Sequence, residues 1–178
     1  MAKTIVFLID NGSLRPQATL KLRSLAQAIS VRSGLRIEAV SLLHSHKIPA
    51  EKLNGEAATI FKRRLREYVA IGYRDFACLP LFIGPSLAVS DYLPELIAEQ
   101  SAHNRDLRVR IAPVLCGENI NDPDPRLAEI LAEQVRQLGP TIDTKVGLID
   151  HGSPIEKVNV VRNALARQLA HKLNTEVH

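Results

Sequence analysis

Aromatic residues are scarce in this sequence: it has no tryptophan, and only four phenylalanines and three tyrosines among 178 residues. Single-stranded nucleic acids are usually bound by stacking their bases on aromatic side chains, so this scarcity argues against a nucleic-acid partner. No apolar run approaches the roughly 20 residues that a membrane-spanning helix needs, and the N-terminus lacks the shape of a signal peptide. We therefore expect a cytoplasmic protein with no membrane association.

Cysteines and nucleotide-binding signatures are equally sparse. Cys78 and Cys116 lie far apart, in no spacing typical of a metal or redox site, and both follow apolar residues in predicted strands. We interpret them as buried free thiols. The sequence also lacks the glycine-rich phosphate loop, the dinucleotide fingerprint and the serine nucleophile elbow. These absences disfavour nucleotide hydrolysis, dinucleotide chemistry and serine hydrolysis.

The net charge gives only a mild indication of the type of ligand. The formal net charge is +4, from 23 basic and 19 acidic residues, which favours anionic ligands slightly. The run Lys62-Arg63-Arg64, with Arg66 beyond it, is interpreted as a solvated helix face, with steering of an anionic ligand as the alternative.

An internal repeat is the most informative feature that the sequence does have. Leu8-Ile9-Asp10-Asn11-Gly12-Ser13 recurs 140 residues later as Leu148-Ile149-Asp150-His151-Gly152-Ser153. This period is far too long for a solenoid, so it predicts two copies of a whole domain. We expect a first domain at residues 1–140. Residues 141–178 would be a linker followed by the first strand and helix of an incomplete second copy.

Apolar runs alternate with helical patterns along the chain, which predicts an α/β fold with a parallel sheet. The predicted strands are Thr4–Ile9, Arg36–Leu43, Asp75–Phe82, Leu107–Leu115 and Lys145–Asp150. The predicted helices follow them: from Pro16 to Gly34, from Lys52 to Ile71, after an N-cap at Ser90, at Arg126–Leu138 and at Pro154–Leu173.

Several polar residues follow the predicted strands directly. Ligands of such sheets bind outside the carboxyl ends of the strands, so these residues should share one edge: Asn11, Ser13, His44, His46, Ser86 and the loop from Cys116. The Asp-[Asn/His]-Gly-Ser turn would point N–H groups at an anion, or would simply join a strand to a helix. His44 and His46 would face the same way on a strand and hold one cation, or would be two solvated loop residues.

The joint order of these motifs resembles the sirohydrochlorin cobaltochelatase and ferrochelatase family, the type II (ATP-independent) chelatases. The resemblance extends over residues 3–138, and the second copy repeats its start. It rests on three motifs: the turns Asn11-Gly12-Ser13 and His151-Gly152-Ser153, the segment Pro80-Leu81-Phe82 with Asp91 and Pro94 after it, and Asp124-Pro125-Arg126-Leu127. It implies a four-stranded parallel sheet with helices on both faces.

The resemblance also implies an activity: insertion of Co²⁺, Fe²⁺ or Ni²⁺ into sirohydrochlorin, an anionic tetrapyrrole, in cobalamin or siroheme biosynthesis. No cofactor beyond the substrate metal ion is expected. His151 would be the catalytic residue and a metal ligand, with His44 and His46 as further metal candidates. The implied substrate-binding residues are Asn11, Gly12, Ser13, Gly84, Ser86 and Asp91.

Two departures from the family pattern affect the first copy. The family's histidine before Gly-Ser is Asn11 here, and its second histidine aligns with Ala88, so the first copy is predicted to have lost its own metal site. Three hypotheses follow: a chelatase, a tetrapyrrole- or metal-binding module without turnover, or a structural half. The apolar tail, residues 145–173, would be disordered, pack on the first domain of its own chain or exchange with another chain. We expect the last of these, and therefore a homodimer.

Overall fold

The computed structural model describes residues 4–141, 144–150 and 155–178. The chain folds into two compact units. The first contains residues 4–82 and 87–112, and the second contains residues 83–86 and the described residues from 113 to 178. No helix in the described ranges is long and apolar enough to cross a membrane.

A four-stranded parallel sheet forms the centre of the first unit. Its strands are β1 (Ile5–Asp10), β2 (Ile37–Ser41), β3 (Asp75–Pro80) and β4 (Arg108–Ile111), in the order β2-β1-β3-β4. The first five residues of β1 are buried, which explains why its sequence is continuously apolar rather than alternating. The predicted parallel sheet is confirmed.

Helices cover both faces of this sheet, as predicted. On one face Phe7 of β1 packs against helix α2 (Phe61–Ala70) and helix α3 (Leu93–Ser101), with the rings of Phe7 and Phe61 edge to face at 5.5 Å between centroids. On the other face Val6 and Leu8 pack against Leu22 and Ala26 of helix α1 (Pro16–Ser33). Successive residues of β1 therefore supply two separate cores.

Predicted element boundaries are correct at some ends and wrong at others. Helix α1 begins at Pro16 and ends before Gly34, whose left-handed backbone closes it. The predicted helix at Lys52–Ile71 is wrong. A short 3₁₀ helix at Ala50–Leu53 is followed by Asn54 and Gly55, which both have positive φ and separate it from α2.

Two other predictions concern a strand and a helix face of the first unit. The strand predicted at Leu107–Leu115 is shorter, because pairing with β3 ends at Ile111. The basic run on α2 is a solvated but ion-paired face, since three of its four side chains have acidic partners. Lys62 and Arg66 pair with Glu99, and Arg64 pairs with Glu38 and Glu67.

The second unit is built around helix α4 (Pro125–Gln137) and helix α5 (Glu156–Leu173). Val161, Leu165 and Leu169 of α5 are only 2–3% exposed. The apolar face of the tail is thus buried within the chain itself, so the argument that it needs a second chain for cover is wrong. The homodimer stays a prediction.

In the described residues the strand predicted at Lys145–Asp150 is reduced to one parallel bridge, between Val146 and Val177. This bridge repeats the pairing of Val6 with Ile37, with both partners displaced by 140 residues. The predicted boundary at residue 140, between a complete first copy and an incomplete second copy of the domain, stays a prediction.

Candidate functional site

The turns that follow β1 and β2 are joined by main-chain hydrogen bonds beyond the ends of the strands. The N–H of Leu42 donates to the carbonyl oxygen of Asp10 at 2.9 Å, and that of Leu43 donates to the carbonyl of Asn11 at 3.1 Å. Two of the predicted site segments, the Asn11 turn and the residues before His44, therefore lie side by side at the carboxyl edge of the sheet, as expected.

Gly12 makes this close crossing possible. Its φ is +94°, and a Cβ atom placed on it would lie 1.8 Å from the carbonyl oxygen of Leu43. No other residue fits, because both the backbone conformation and the free space require glycine. The glycine of the repeated motif thus has a structural reason here, independent of any ligand.

The residues on either side of Gly12 differ in whether their side chains are free to contact a ligand. Asn11 is exposed, whereas the hydroxyl oxygen of Ser13 accepts the backbone N–H of Arg15 at 3.0 Å and so fixes the turn into α1. Helix α1 has no side-chain N-cap and no acidic residue in its first turn. The edge therefore presents an amide side chain and a helix start with no carboxylate in the first turn of the helix itself.

Asp10, the last residue of β1, is a feature of this edge that sequence reasoning did not select. Its Oδ1 atom is buried and has no hydrogen-bond partner among the described residues. Burial raises the pKa of this carboxyl, and interactions with the Ser41 side chain and the Gly12 backbone N–H offset the rise only in part. The available signal was its recurrence at Asp150, where Arg162 lies 3.4 Å away as an ionic partner.

His44 and His46 do not occupy a strand, so the argument that they face the same way is wrong. His44 is exposed and has φ +63° and ψ −43°, and the N–H of Ser45 closes a tight turn onto the carbonyl of Leu43 at 2.7 Å. His46 belongs to a 3₁₀ helix at Ser45–Lys47, and its Nδ1 atom is buried without a partner among the described residues. Their role as metal ligands stays a prediction.

A π-helical turn at Ala88–Tyr92 precedes α3 in the first unit. Ser90 lies inside this turn, so its predicted role as an N-cap is wrong, and its hydroxyl donates to the exposed carboxylate of Asp91 instead. Ala88 packs against the core beside β1 and α3. The position that the resemblance aligns with the family's second histidine thus holds a methyl group that contributes to packing.

Gly84, Ser86 and Cys116 belong to the second unit. A Cβ atom on Gly84 would lie 3.3 Å from Val161 of α5, so this glycine allows close packing of its loop on the helix. Cys116 is buried and Cys78 lies in the core of the first unit, which confirms the interpretation as free thiols. Burial raises the pKa of both, to about 12 for Cys78.

His151, Gly152 and Ser153 lie outside the described residues. Among the residues that the structure does describe, no three His, Cys, Asp or Glu side chains come together as a metal site. The carboxyl edge of the first unit thus brings together the exposed amide of Asn11, the buried carboxyl of Asp10 and the imidazoles of His44 and His46, which belong to different local structures.

The sequence model of the CbiX family matches residues 5–138 of this chain. The chain belongs to the CbiX family. The match covers the sheet, its helices and α4, and it confirms the resemblance found in the sequence. The same turns that meet at the carboxyl edge, around Asn11 and His44, lie within the matched range. No curated protein matches the sequence.

Solved structures share this fold at low sequence identity. SirB from Bacillus subtilis, determined with Fe³⁺, has a TM-score of 0.74 at 17% identity, covering 98% of this chain and 64% of that one. The sirohydrochlorin chelatase SirB from Bacillus subtilis subspecies spizizenii, in complex with cobalt, has a TM-score of 0.69 at 17% identity, covering 98% and 65%. The CbiX protein from Marinobacter aquaeolei VT8 has a TM-score of 0.53 at 18% identity, covering 76% and 96%. The chain thus spans about two thirds of the length of the SirB proteins.

Proposed function

We propose that this protein serves the insertion of a divalent metal ion into a sirohydrochlorin-type tetrapyrrole. In this proposal the first copy binds the macrocycle, and metal capture depends on His151. One observation supports this separation of macrocycle binding from metal capture. In the first copy, the two positions at which the family has metal-binding histidines hold the amide of Asn11 and the core-packed methyl group of Ala88. Membership of the CbiX family and the fold shared with SirB support the reaction class.

The reaction exchanges one metal dication for two pyrrole protons, so the site must hold the macrocycle, present the metal and accept protons. Neutral imidazole is a suitable ligand for Co²⁺, Fe²⁺ or Ni²⁺ and also a proton acceptor near neutral pH, which are the two tasks assigned to His151. The rigid crossing of Gly12 and Leu43 would hold the Asn11 turn in place against the macrocycle, so that binding costs little ordering of the loop.

A second candidate function is binding of the tetrapyrrole without turnover. It is favoured by the absence of a three-ligand metal cluster from the described residues. The two functions differ in what happens after binding, because a binding module would change the absorbance of the macrocycle without releasing protons.

Anaerobic absorbance spectroscopy of sirohydrochlorin with Co²⁺ tests the proposal. We expect the protein to accelerate insertion over the uncatalysed rate, and His151→Ala to abolish the acceleration while macrocycle binding persists. His44→Ala and His46→Ala together are the comparison, and they should retain most of the acceleration. Acceleration that survives His151→Ala but is lost in the His44 and His46 variant would move metal capture to the first copy and overturn the separation of macrocycle binding from metal capture.

A further inference from the structure

Positive charge is concentrated in one stretch of the first unit. Between Asp10 and Ala50 there are six lysines and arginines and two acidic residues, Asp10 and Glu38, so this stretch alone accounts for a charge equal to the +4 of the whole chain. It runs from the end of β1 through α1 and β2 to the turn after β2. The basic excess of the protein therefore belongs to the elements that form the carboxyl edge.

Most of these cations are far from the edge or already engaged. The guanidinium of Arg23 donates to the carbonyls of Leu53, Glu56 and Ala57, and Arg36 pairs with Glu38. Lys21 and Arg32 lie farther along α1, in its second and last turns.

Arg15 and Lys47 are the two cations that remain at the edge. Arg15 is exposed directly before α1, and its backbone N–H donates to the hydroxyl oxygen of Ser13. Lys47 is exposed in the 3₁₀ helix after β2, and its N–H donates to the carbonyl of His44 at 2.9 Å. Within the described ranges neither side chain forms an ion pair. The backbone of both residues is held in place, because the turns that contain Arg15 and Lys47 meet at Gly12 and Leu43.

We propose that Arg15 and Lys47 are the residues that bind the peripheral carboxylates of the macrocycle, one cation on each side of the Gly12–Leu43 crossing. Two exposed, unpaired cations on fixed turns suit a flat ligand with carboxylates around its rim, since each can meet a different carboxylate. The inference rests on the proposed function for the identity of the ligand, but it concerns binding rather than metal insertion.

A binding measurement without metal tests this inference separately from the reaction. The probe is uroporphyrin, a metal-free porphyrin with carboxylates on every ring, titrated into the full chain and followed by its fluorescence. Arg15→Gln and Lys47→Gln are compared with Arg32→Gln, which removes the same charge about 25 Å away along α1 at 1.5 Å per residue. We expect each edge variant to weaken binding about threefold or more, and the Arg32 control to change it less than twofold. Circular dichroism confirms that each variant is folded.

The outcomes separate the inference from the proposed function. Weakening confined to the edge variants, reduced at high salt and smaller for coproporphyrin, which has fewer carboxylates, would support the inference even if no metal were inserted. Equal effects of all three substitutions would overturn it, and so would the absence of any uroporphyrin binding. Metal insertion with unchanged Michaelis constants in the edge variants would leave the proposed function standing and refute the inference.

Discussion

Replacing Gly12 with alanine tests the crossing on which the candidate site is built. The new Cβ would lie 1.8 Å from the carbonyl oxygen of Leu43, so the two turns must separate by more than 1 Å. That shift would break or weaken the hydrogen bonds of Leu42 to Asp10 and of Leu43 to Asn11, which stabilise the fold by about 1 kcal/mol each. The left-handed backbone costs alanine about 1–2 kcal/mol more. We therefore expect Gly12→Ala to lower the free energy of unfolding by about 3–4 kcal/mol.

Gly72→Ala is the matched control. Gly72 has φ +95°, against +94° for Gly12, but a Cβ atom on it would meet no atom within 4 Å. The control therefore carries the backbone cost without the collision, and the effect of alanine on the unfolded chain is the same in both variants. Urea unfolding followed by circular dichroism measures both, since the chain has no tryptophan to report by fluorescence. A Gly12→Ala variant within about 0.5 kcal/mol of the control would refute the steric argument.

Three further predictions concern stability and assembly. Burial raises the pKa of Asp10, so the protonated carboxyl stabilises the fold at low pH, and this stabilisation is lost as pH rises through that pKa. The free energy of unfolding of Asp10→Asn, compared with the wild type, should therefore be more favourable at pH 7 than at pH 4. An equal difference between the two proteins at both pH values would contradict this. Tyr68 donates its hydroxyl hydrogen to Glu38 and accepts a hydrogen bond from Arg36 at 2.8 Å. Tyr68→Phe should therefore lower the free energy of unfolding by about 1–2 kcal/mol in the same urea assay. An unchanged free energy of unfolding would show that Glu38 is satisfied by its arginines alone. Light scattering should give twice the chain mass of 19.7 kDa, and a mass equal to that of one chain would rule out the predicted homodimer.

The sheet and one helix could be predicted because their signals are local. The short apolar run from Ile5 to Ile9 is typical of a central strand, and Pro16 and Gly34 mark the ends of α1 by their own backbone preferences. The joining of the Asn11 turn to the turn after β2 followed from the parallel topology alone.

The conformations within the site depended on contacts that the sequence does not display. His44 has a positive φ because the residues on both sides of it are held: Leu43 pairs with Asn11, and Ser45 is 1% exposed with its hydroxyl directed to the carbonyl of Thr59. No residue pattern signals such a turn for histidine. The burial of Asp10 was hidden for the same reason, since its side-chain partner Ser41 belongs to β2 and not to the same stretch of chain.

The rate of Co²⁺ insertion into sirohydrochlorin by an Asn11→His, Ala88→His double variant tests the central claim most directly. If the first copy holds the macrocycle but lacks metal ligands, restoring both histidines should raise the rate above that of the wild-type chain. A wild-type chain that already inserts cobalt as fast as the double variant, and keeps that rate after His151→Ala, would contradict the account.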